Sequence, residues 1–179
     1  MWIFRNVGEI MKLFVASDIH GSLFYCKKMI EKFSQDNYDY LVLLGDILYH
    51  GPRNDLSMEY DTKGVAELLN KYSDKIIAVK GNCDAEVDQL MLKFSIEEKN
   101  MLIVDNNNKI FLTHGHLYNE VNMPPLRDIN YLFFGHTHRK LLKKIDGITY
   151  ANPGSISLPK DGTNSYFVYE DGKITFYEL

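Results

Sequence analysis

The sequence predicts an α/β fold in which two β-sheets form a sandwich flanked by helices. Short apolar runs, rich in branched and aromatic residues and ended by Gly or Asp, are typical of buried strands. In the first half these runs alternate with amphipathic segments, which predicts a parallel sheet with right-handed crossovers. In the second half the turn signals Asp146-Gly147 and Asp171-Gly172 predict antiparallel hairpins, and therefore a second sheet.

The first half begins with a strand that starts near Lys12 and ends before Asp18. A helix over 22–35 follows, with Ser22 as its N-cap, because a Ser side chain can accept a hydrogen bond from a free N–H at a helix start. Cys26 shares an apolar stripe of this helix and is predicted to be a small core residue. The other elements predicted here are strands over about 40–44 and 75–80 and helices over about 62–72 and 85–92.

The second half is predicted to be mostly strand. The expected strands lie near 101–104, 109–113 and 131–134, followed by two hairpins that join 140–145 to 148–150 and 165–169 to 173–177. No linker, repeat or low-complexity segment interrupts the pattern, so residues 11–179 are predicted to form one domain.

Composition narrows the classes of partner. The 179 residues are 45% hydrophobic and carry a net charge of −4. Such a balance disfavours long nucleic acids, whose binding needs many Lys and Arg contacts to phosphate, and favours a small substrate. No run approaches the roughly 20 apolar residues of a membrane span, and no long apolar signal segment is present. The sequence therefore predicts a cytoplasmic protein that does not bind membranes.

The first ten residues are predicted to be a non-native or mis-called extension. Met11 directly precedes the first strand, and codons for Gly8-Glu9 permit a bacterial ribosome-binding sequence just upstream of it. The alternative is a genuine short N-terminal extension. The mass of the N-terminal peptide of the native protein decides between them.

Polar motifs follow five of the predicted strands. They are Asp18-Ile19-His20, Gly45-Asp46, Gly81-Asn82-Cys83-Asp84, His114-Gly115-His116 and Gly135-His136-Thr137-His138. Each one alone could be a chance loop, and Asn82 could simply cap a helix. Together they contain five of the six histidines with Asp and Asn, the ligand types of borderline divalent metals. The set predicts a binuclear metal site where strand ends meet.

The ordered motifs resemble the signature of the calcineurin-like metallophosphoesterase superfamily from about Met11 onward. The YfcE-like subfamily of small bacterial and archaeal phosphodiesterases is the closer resemblance, because of Cys83 and the segments His50-Gly51-Pro52-Arg53-Asn54 and Asn152-Pro153-Gly154-Ser155. This resemblance implies the two-sheet calcineurin-like fold. It also implies a set of seven metal ligands.

Carried over by position, the resemblance gives Asp18, His20 and His138 to one metal. It gives Asn82, His114 and His136 to the other, with Asp46 as the bridging ligand. Two Mn²⁺ ions are expected by resemblance, and Zn²⁺, Fe²⁺ or Ni²⁺ also suit these donors.

The implied reaction is hydrolysis of a small phosphodiester by a metal-bridged hydroxide that attacks phosphorus in line with the leaving group. Cys83 stands where many members carry a His that assists the leaving group, which favours diesters over monoesters. Cys83, His50 and His116 are the candidate catalytic residues, and Arg53 and His50 are candidates for substrate contact. For His50 and Arg53 the alternative is a solvated loop.

Three other functions share these features. A phosphomonoesterase or a nuclease could use the same site, and a retromer subunit of eukaryotes resembles the fold yet serves as a protein-binding scaffold. The retained ligand positions favour catalysis over the scaffold.

A homo-oligomer, either a dimer or a tetramer, is also expected. Aromatic residues make up 13% of the chain, more than a small core is expected to absorb, and they are enriched at interfaces. The residues on which this expectation rests are Tyr38, Tyr40, Tyr60, Tyr166, Phe167 and Tyr169.

Overall fold

The structure is a computed structural model that describes residues 2–4, 11–126 and 128–179. Its strands are β1 (Trp2–Phe4), β2 (Lys12–Ala16), β3 (Tyr40–Leu43), β4 (Ile76–Ala78), β5 (Asn100–Asp105), β6 (Asn108–Thr113), β7 (Tyr131–Phe133), β8 (Lys140–Ile145), β9 (Ile148–Pro153), β10 (Ser165–Glu170) and β11 (Lys173–Glu178). Its helices are α1 (Leu23–Ser34) and α2 (Thr62–Leu69), with short 3₁₀ helices at Asn70–Lys75 and Glu86–Leu90. The strands predicted for residues 11–179 are confirmed, and the helix expected near 85–92 is a 3₁₀ turn.

The strands form two mixed sheets, which confirms the predicted sandwich. The first sheet has the order β11-β10-β2-β3-β4, with β2, β3 and β4 parallel. The second sheet has the order β1-β5-β6-β7-β9-β8, with β6, β7 and β9 parallel. Each sheet thus has a parallel centre and at least one antiparallel edge.

One placement differs from expectation. The last hairpin, β10–β11, was predicted to belong to the second sheet, yet β10 pairs antiparallel with β2 and extends the first. The residues of β10 explain this, because Phe167 and Tyr169 lie against the second sheet while Tyr166 and Val168 lie on the helix side. A strand that is apolar on both faces is most stable inside a sheet that is covered on both sides.

The core has layers on both faces of the first sheet. Along β2, Leu13 and Val15 pack between the two sheets, whereas Phe14 and Ala16 pack toward the helices. This alternation follows from the two-residue period of a strand. The outer face of the second sheet carries a third apolar cluster that includes Leu132.

Helix α1 begins as the sequence predicts. The Ser22 hydroxyl accepts a hydrogen bond from the backbone N–H of Tyr25, which confirms Ser22 as the N-cap. Cys26 is fully buried in the apolar face of α1, and burial raises the pKa of its thiol to about 12. Cys26 and Cys83 are both free thiols. The predicted core role of Cys26 is confirmed.

The core absorbs most of the aromatic residues that suggested an oligomer. Tyr38, Tyr166, Phe167 and Tyr169 are buried within this one chain. The aromatic content therefore gives the oligomer little support, and the oligomer stays a prediction.

The N-terminal prediction falls largely outside the described residues. Trp2–Phe4 forms an edge strand parallel to β5, and residues 5–10 are not described. This pairing does not test whether the native protein starts at Met1 or Met11, which stays a prediction. Across the described ranges, no helix is long and apolar enough to cross a membrane.

Candidate metal centre

The five polar motifs meet at one end of the sandwich. They follow β2, β3 and β4 of the first sheet and β6 and β7 of the second. Two sets of parallel strand ends, one from each sheet, therefore supply the donors. Ligands at the carboxyl ends of strands are a general feature of α/β folds.

The backbone at this end is sharply turned. Five predicted ligands have positive φ angles, namely Asp18 (57°), His20 (46°), Asp46 (54°), His136 (65°) and His138 (58°). This left-handed conformation costs a residue with a side chain on the order of 1–3 kcal/mol. Backbone hydrogen bonds hold the turns, including one from Asp18 N–H to the Gly45 carbonyl at 3.1 Å and one from His20 N–H to Asp46 at 2.9 Å.

A first cluster contains Asp18, His20 and His138. The two imidazoles donate their Nδ1–H to the carbonyls of Tyr49, at 2.8 Å, and Leu158, at 2.6 Å. In the neutral rings both Nε2 atoms carry the lone pair, and these two atoms lie 3.2 Å apart. Asp18 Oδ1 lies 3.2 Å from Nε2 of His138 and 3.6 Å from Nε2 of His20.

The environment of Asp18 Oδ1 indicates that this cluster can bind a cation. This oxygen is buried and has no hydrogen-bond partner, while Oδ2 accepts the backbone N–H of His136 at 2.9 Å. Burial alone would raise the pKa of Asp18, but His138 and His20 bring it below its ordinary value. A buried carboxylate oxygen beside two imidazoles is a donor set that can hold a divalent metal in place of the imidazole protons.

A second cluster contains Asp46, His114 and His136, with Asn82 beside them. His114 donates its Nδ1–H to the Leu44 carbonyl at 2.7 Å, so its Nε2 faces Asn82 Oδ1 at 3.0 Å. Burial opposes a charge on His114, yet the hydrogen bond with Asp46 and the charge of Asp18 raise its pKa to about 9. By contrast, burial and the charge of His114 lower the pKa of His136.

Asp46 lies between the two clusters. Its Oδ2 is 3.7 Å from Nε2 of His20 and 3.4 Å from Nε2 of His114. Its Oδ1 accepts the backbone N–H of Cys83 at 2.8 Å, which fixes the orientation of the carboxylate. One side chain thus contacts donors of both groups.

Asp84 organises the turns around Asp46, a role that the sequence did not reveal. It is buried and accepts backbone N–H bonds from Asp46, Ile47 and Gly81, each at 2.8 Å. Burial raises its pKa, and these hydrogen bonds partly oppose the shift. A Cβ on Gly81 would lie 2.1 Å from Asp46 Oδ1, so only glycine permits this approach. The available signal was the position of Asp84 at the end of its motif.

The Asn152-to-Ser155 segment after β9 supports the second pair of turns. The Asn152 side chain donates to the Gly135 carbonyl at 2.7 Å, which holds the loop that carries His136. The Ser155 hydroxyl donates to the Asp18 carbonyl at 2.8 Å. In the sequence this segment served only as a family marker, and its contacts give it a positioning role.

A cavity of about 650 Å³ opens in front of the donors. Its lining includes the side chains of Asp46, His136 and His138. The exposed cations Arg53 and Lys160 also line it. Arg53 is thus located at the cavity, and its contact with substrate stays a prediction. Lys160 was not predicted, because a single Lys after a loop motif carries no distinguishing pattern.

Cys83 also lines the cavity and is half-buried. Its Sγ packs against Gly51, where an added Cβ would lie 2.7 Å away. Burial and the nearby Asp46 raise the pKa of the thiol to about 12, so Cys83 is neutral at pH 7.

His50 and His116, the other two candidate catalytic residues, have ring contacts with tyrosines and with predicted metal ligands, respectively. The ring of His50 lies 4.6 Å from that of Tyr49 and 5.2 Å from that of Tyr60, and it is not among the residues that line the cavity. His116 is exposed, with its ring 5.4 Å from His114 and its pKa lowered by burial and by the charge of His114. The catalytic roles of both histidines stay predictions.

A family model for the calcineurin-like phosphoesterase superfamily domain matches residues 11–172. The chain belongs to this superfamily. It is 44% identical to phosphodiesterase YfcE of Escherichia coli strain K12 over 165 residues, which cover 92% of this chain and 90% of that protein. A solved structure of YfcE matches with a TM-score of 0.87 at 40% identity and covers 94% of this chain and all of that one. The predicted superfamily and subfamily are confirmed, and the protein is a metal-dependent phosphoesterase.

The calcineurin-like phosphoesterase fold also occurs in a more distant protein. Vacuolar protein sorting 29 of Cryptosporidium parvum matches with a TM-score of 0.63 at 16% identity, covering 95% of this chain and 97% of that one. This similarity shows the fold alone. The side chains at the strand ends, and not the sheets, therefore carry the argument for function.

Proposed function

We propose that the protein is a binuclear metal-dependent phosphodiesterase that cleaves small phosphodiesters, with Mn²⁺ as the first candidate metal. The observation that carries this proposal is the position of Asp46, whose Oδ2 lies within 3.7 Å of a His Nε2 from each cluster. Similarity to a protein named phosphodiesterase supports the choice of a diester.

Seven side chains are proposed to hold the metals. Asp18, His20 and His138 bind one cation, Asn82, His114 and His136 bind the other, and Asp46 binds both. When bound, the two cations supply an activated water for in-line attack on phosphorus and neutralise charge that develops on the phosphate oxygens.

The protein's own residues prepare this site in three ways. Carbonyl acceptors hold the Nδ1–H groups of His20, His114 and His138, so that Nε2 of each ring faces inward and binds a metal once it is deprotonated. The strained turns hold the donors in place before substrate arrives. Arg53 and Lys160 add positive charge to the cavity wall, where an anionic phosphate enters.

Cys83 supports diesters over monoesters. A thiol with a pKa of about 12 is neutral at pH 7 and is a weak hydrogen-bond donor. The thiol therefore donates a proton to a poor leaving group less readily than an imidazolium does. It also provides no positive charge to stabilise a monoester phosphate, which carries two negative charges. Diesters carry one charge and are the better match. The retained donors favour this enzyme over a non-catalytic scaffold.

The deciding experiment compares one diester with the monoester of the same leaving group. Bis-(4-nitrophenyl) phosphate and 4-nitrophenyl phosphate, each assayed with Mn²⁺, Zn²⁺, Fe²⁺ and Ni²⁺, should show faster diester cleavage and highest activity with Mn²⁺. Asp46→Ala, purified in parallel, controls for contaminating phosphatases. Faster cleavage of the monoester would make the protein a phosphomonoesterase, and hydrolysis of long DNA or RNA in preference to both would make it a nuclease.

We propose further that the protein works in the cytoplasm as a homo-oligomer. The two free thiols suit a reducing compartment. Apolar side chains that remain exposed, among them Leu90 at 84% and Leu56 at 63%, are surface that a second copy could cover. A monomer mass by light scattering across a concentration series would contradict the homo-oligomer. Recovery of the native protein outside the cytoplasmic fraction would contradict the location.

A further inference from the structure

A second cavity of about 390 Å³ lies beside the catalytic one. Tyr49 lines both. The other apolar or aromatic contributors are Leu48, Tyr60, Ala85, Val87 and Met91. We call this space the apolar groove. Its volume lies within the range of small-ligand sites.

The groove is built from apolar side chains that the fold leaves open to solvent. Val87 is 63% exposed, Met91 is 44% exposed and Tyr49 is 42% exposed. These residues are not needed to complete the core, in which Leu48 is already buried. A group of exposed apolar side chains next to a polar cavity is typical of a ligand site.

Two residues that line the groove are connected to the metal centre by a hydrogen bond or by their position in the chain. The backbone carbonyl of Tyr49 accepts the Nδ1–H of His20 at 2.8 Å, so the residue that separates the two cavities also orients a metal ligand. Ala85, which also lines the groove, directly follows the motif that holds Asp46, and its N–H donates to the Asp88 carboxylate at 2.8 Å. The groove therefore has a fixed position relative to the phosphate site.

The charges around the groove favour a neutral occupant. Lys63 and Asp88 both line it, one positive and one negative, so they offer no net charge. The positive residues Arg53 and Lys160 line the other cavity instead. The anionic phosphate is thus matched by one cavity and an uncharged, apolar group by its neighbour.

We propose that the apolar groove binds the neutral aromatic arm of a phosphodiester while the phosphate lies at the metal centre. This inference rests on the proposed function and narrows its substrate class to diesters with at least one aryl or similarly flat apolar arm. The exposed ring of Tyr49 provides a surface against which such an arm stacks. Val87 and Met91, which also line the groove, supply further apolar contacts.

The test measures binding without turnover. Phenylphosphonate and methylphosphonate carry the same anionic head, so the ratio of their affinities for the Mn²⁺-loaded protein reports the arm alone. Titration calorimetry should show tighter binding of phenylphosphonate, by about tenfold, because even one methylene in an apolar pocket is worth roughly tenfold or more. Val87→Ser and Tyr49→Ala should each reduce this ratio at least threefold.

Val121→Ser is the matched control, because Val121 is 87% exposed and lines neither cavity. It should keep the wild-type ratio. A ratio near one in the wild type, or a ratio unchanged in both Val87→Ser and Tyr49→Ala, overturns the inference. The inference is also overturned if Val87→Ser lowers the molar mass in light scattering and keeps the ratio, because the groove then binds a second copy of the chain.

The experiments distinguish an error in the proposed phosphodiesterase function from an error in the proposed role of the apolar groove. If the wild-type protein cleaves no diester but still binds phenylphosphonate with the expected preference, only the assigned reaction is wrong. If it cleaves diesters without that preference, only the groove is wrong.

Discussion

Two buried carboxylates lie at opposite ends of the sandwich and have different surroundings. Asp18 follows β2 at the metal end, and Asp105 ends β5 at the other. Both are fully buried, and in the described part of the chain each has one oxygen without a hydrogen-bond partner. Burial and an unpaired oxygen alone therefore do not identify a metal site.

The neighbours make the difference. Asp18 has a positive φ, and its Oδ1 faces Nε2 of His20 and of His138. Asp105 instead accepts a hydrogen bond from the Tyr169 hydroxyl at 2.9 Å, and burial together with Asp105 raises the pKa of that tyrosine. A metal site requires several donors aimed at one point, and only the first carboxylate has them. The hydrogen bond from Tyr169 partly offsets the free-energy cost of burying the Asp105 side chain.

The largest effect should come from changing one carboxylate in each region. Asp46→Ala removes the donor shared by both clusters, so we expect loss of both metals and a fall in diesterase activity of about a thousandfold or more, since metal stabilisation of charge is worth several kcal/mol. Asp105→Asn should lower stability but keep both metals. Metal analysis and kinetics measure this. If Asp46→Ala still binds two metals, Asp46 is not the bridging ligand.

The pH dependence of the metal-free protein sharpens the contrast. The pKa of His114 is raised to about 9 from 6.5, so its ion pair stabilises the fold fully below pH 6.5 and is lost as pH rises through 9. The free energy of unfolding of EDTA-treated protein should fall by up to about 3 kcal/mol over this range. Metal affinity should rise over the same range, because His114 must be neutral to bind.

Urea unfolding and Mn²⁺ titration at pH 6.5, 7.5 and 9 measure these opposite trends. The lowered pKa of Asp46 acts below this window, since its contribution is present above pH 3.8 and is lost only at lower pH. Stability of the metal-free protein that is constant or rises from pH 6.5 to 9 contradicts the account of His114.

A smaller effect is expected at Asp84, which supports the metal end without facing the metals. Asn at this position offers one acceptor oxygen for three backbone N–H groups, so Asp84→Asn should destabilise the protein by about 1–3 kcal/mol and weaken metal binding roughly tenfold. Asp61→Asn is the control, because Asn replaces the Asp61 N-cap of α2 equally well. Equal stability of the two variants would refute the organising role.

The smallest effect is expected at Cys83. Cys83→Ala should slow diesters with poor leaving groups by a few-fold, and Cys83→His should raise relative activity on monoesters by restoring an imidazole. Kinetics on esters with graded leaving-group pKa measure both. Unchanged selectivity in the two variants, with metal content intact, excludes Cys83 from the reaction.

Much of the fold could be predicted because its signals are local. Alternating apolar runs, the Ser22 cap and the Asp-Gly turns each depend on a few adjacent residues, and each predicted its element correctly. The membership of β10 in the first sheet could not be predicted. A strand that is apolar on both faces can pair with an edge of either sheet, and the packing around it decides which one. That is a property of the whole core.

The site divides in the same way. The sequence named the donors that converge, because His, Asp and Asn after strands have a chemical reason to be there. It did not give a role to Asp84, whose partners are backbone groups that leave no trace in residue types. Nor did it identify Lys160 or Tyr49, which reach the cavity from loops distant in sequence.

The most direct test of the binuclear centre is anomalous diffraction from crystals of the Mn²⁺-loaded protein. The account predicts two peaks, one among Asp18, His20 and His138 and one among Asn82, His114 and His136, with Asp46 contacting both. A single peak, or peaks only outside these residues, would contradict it.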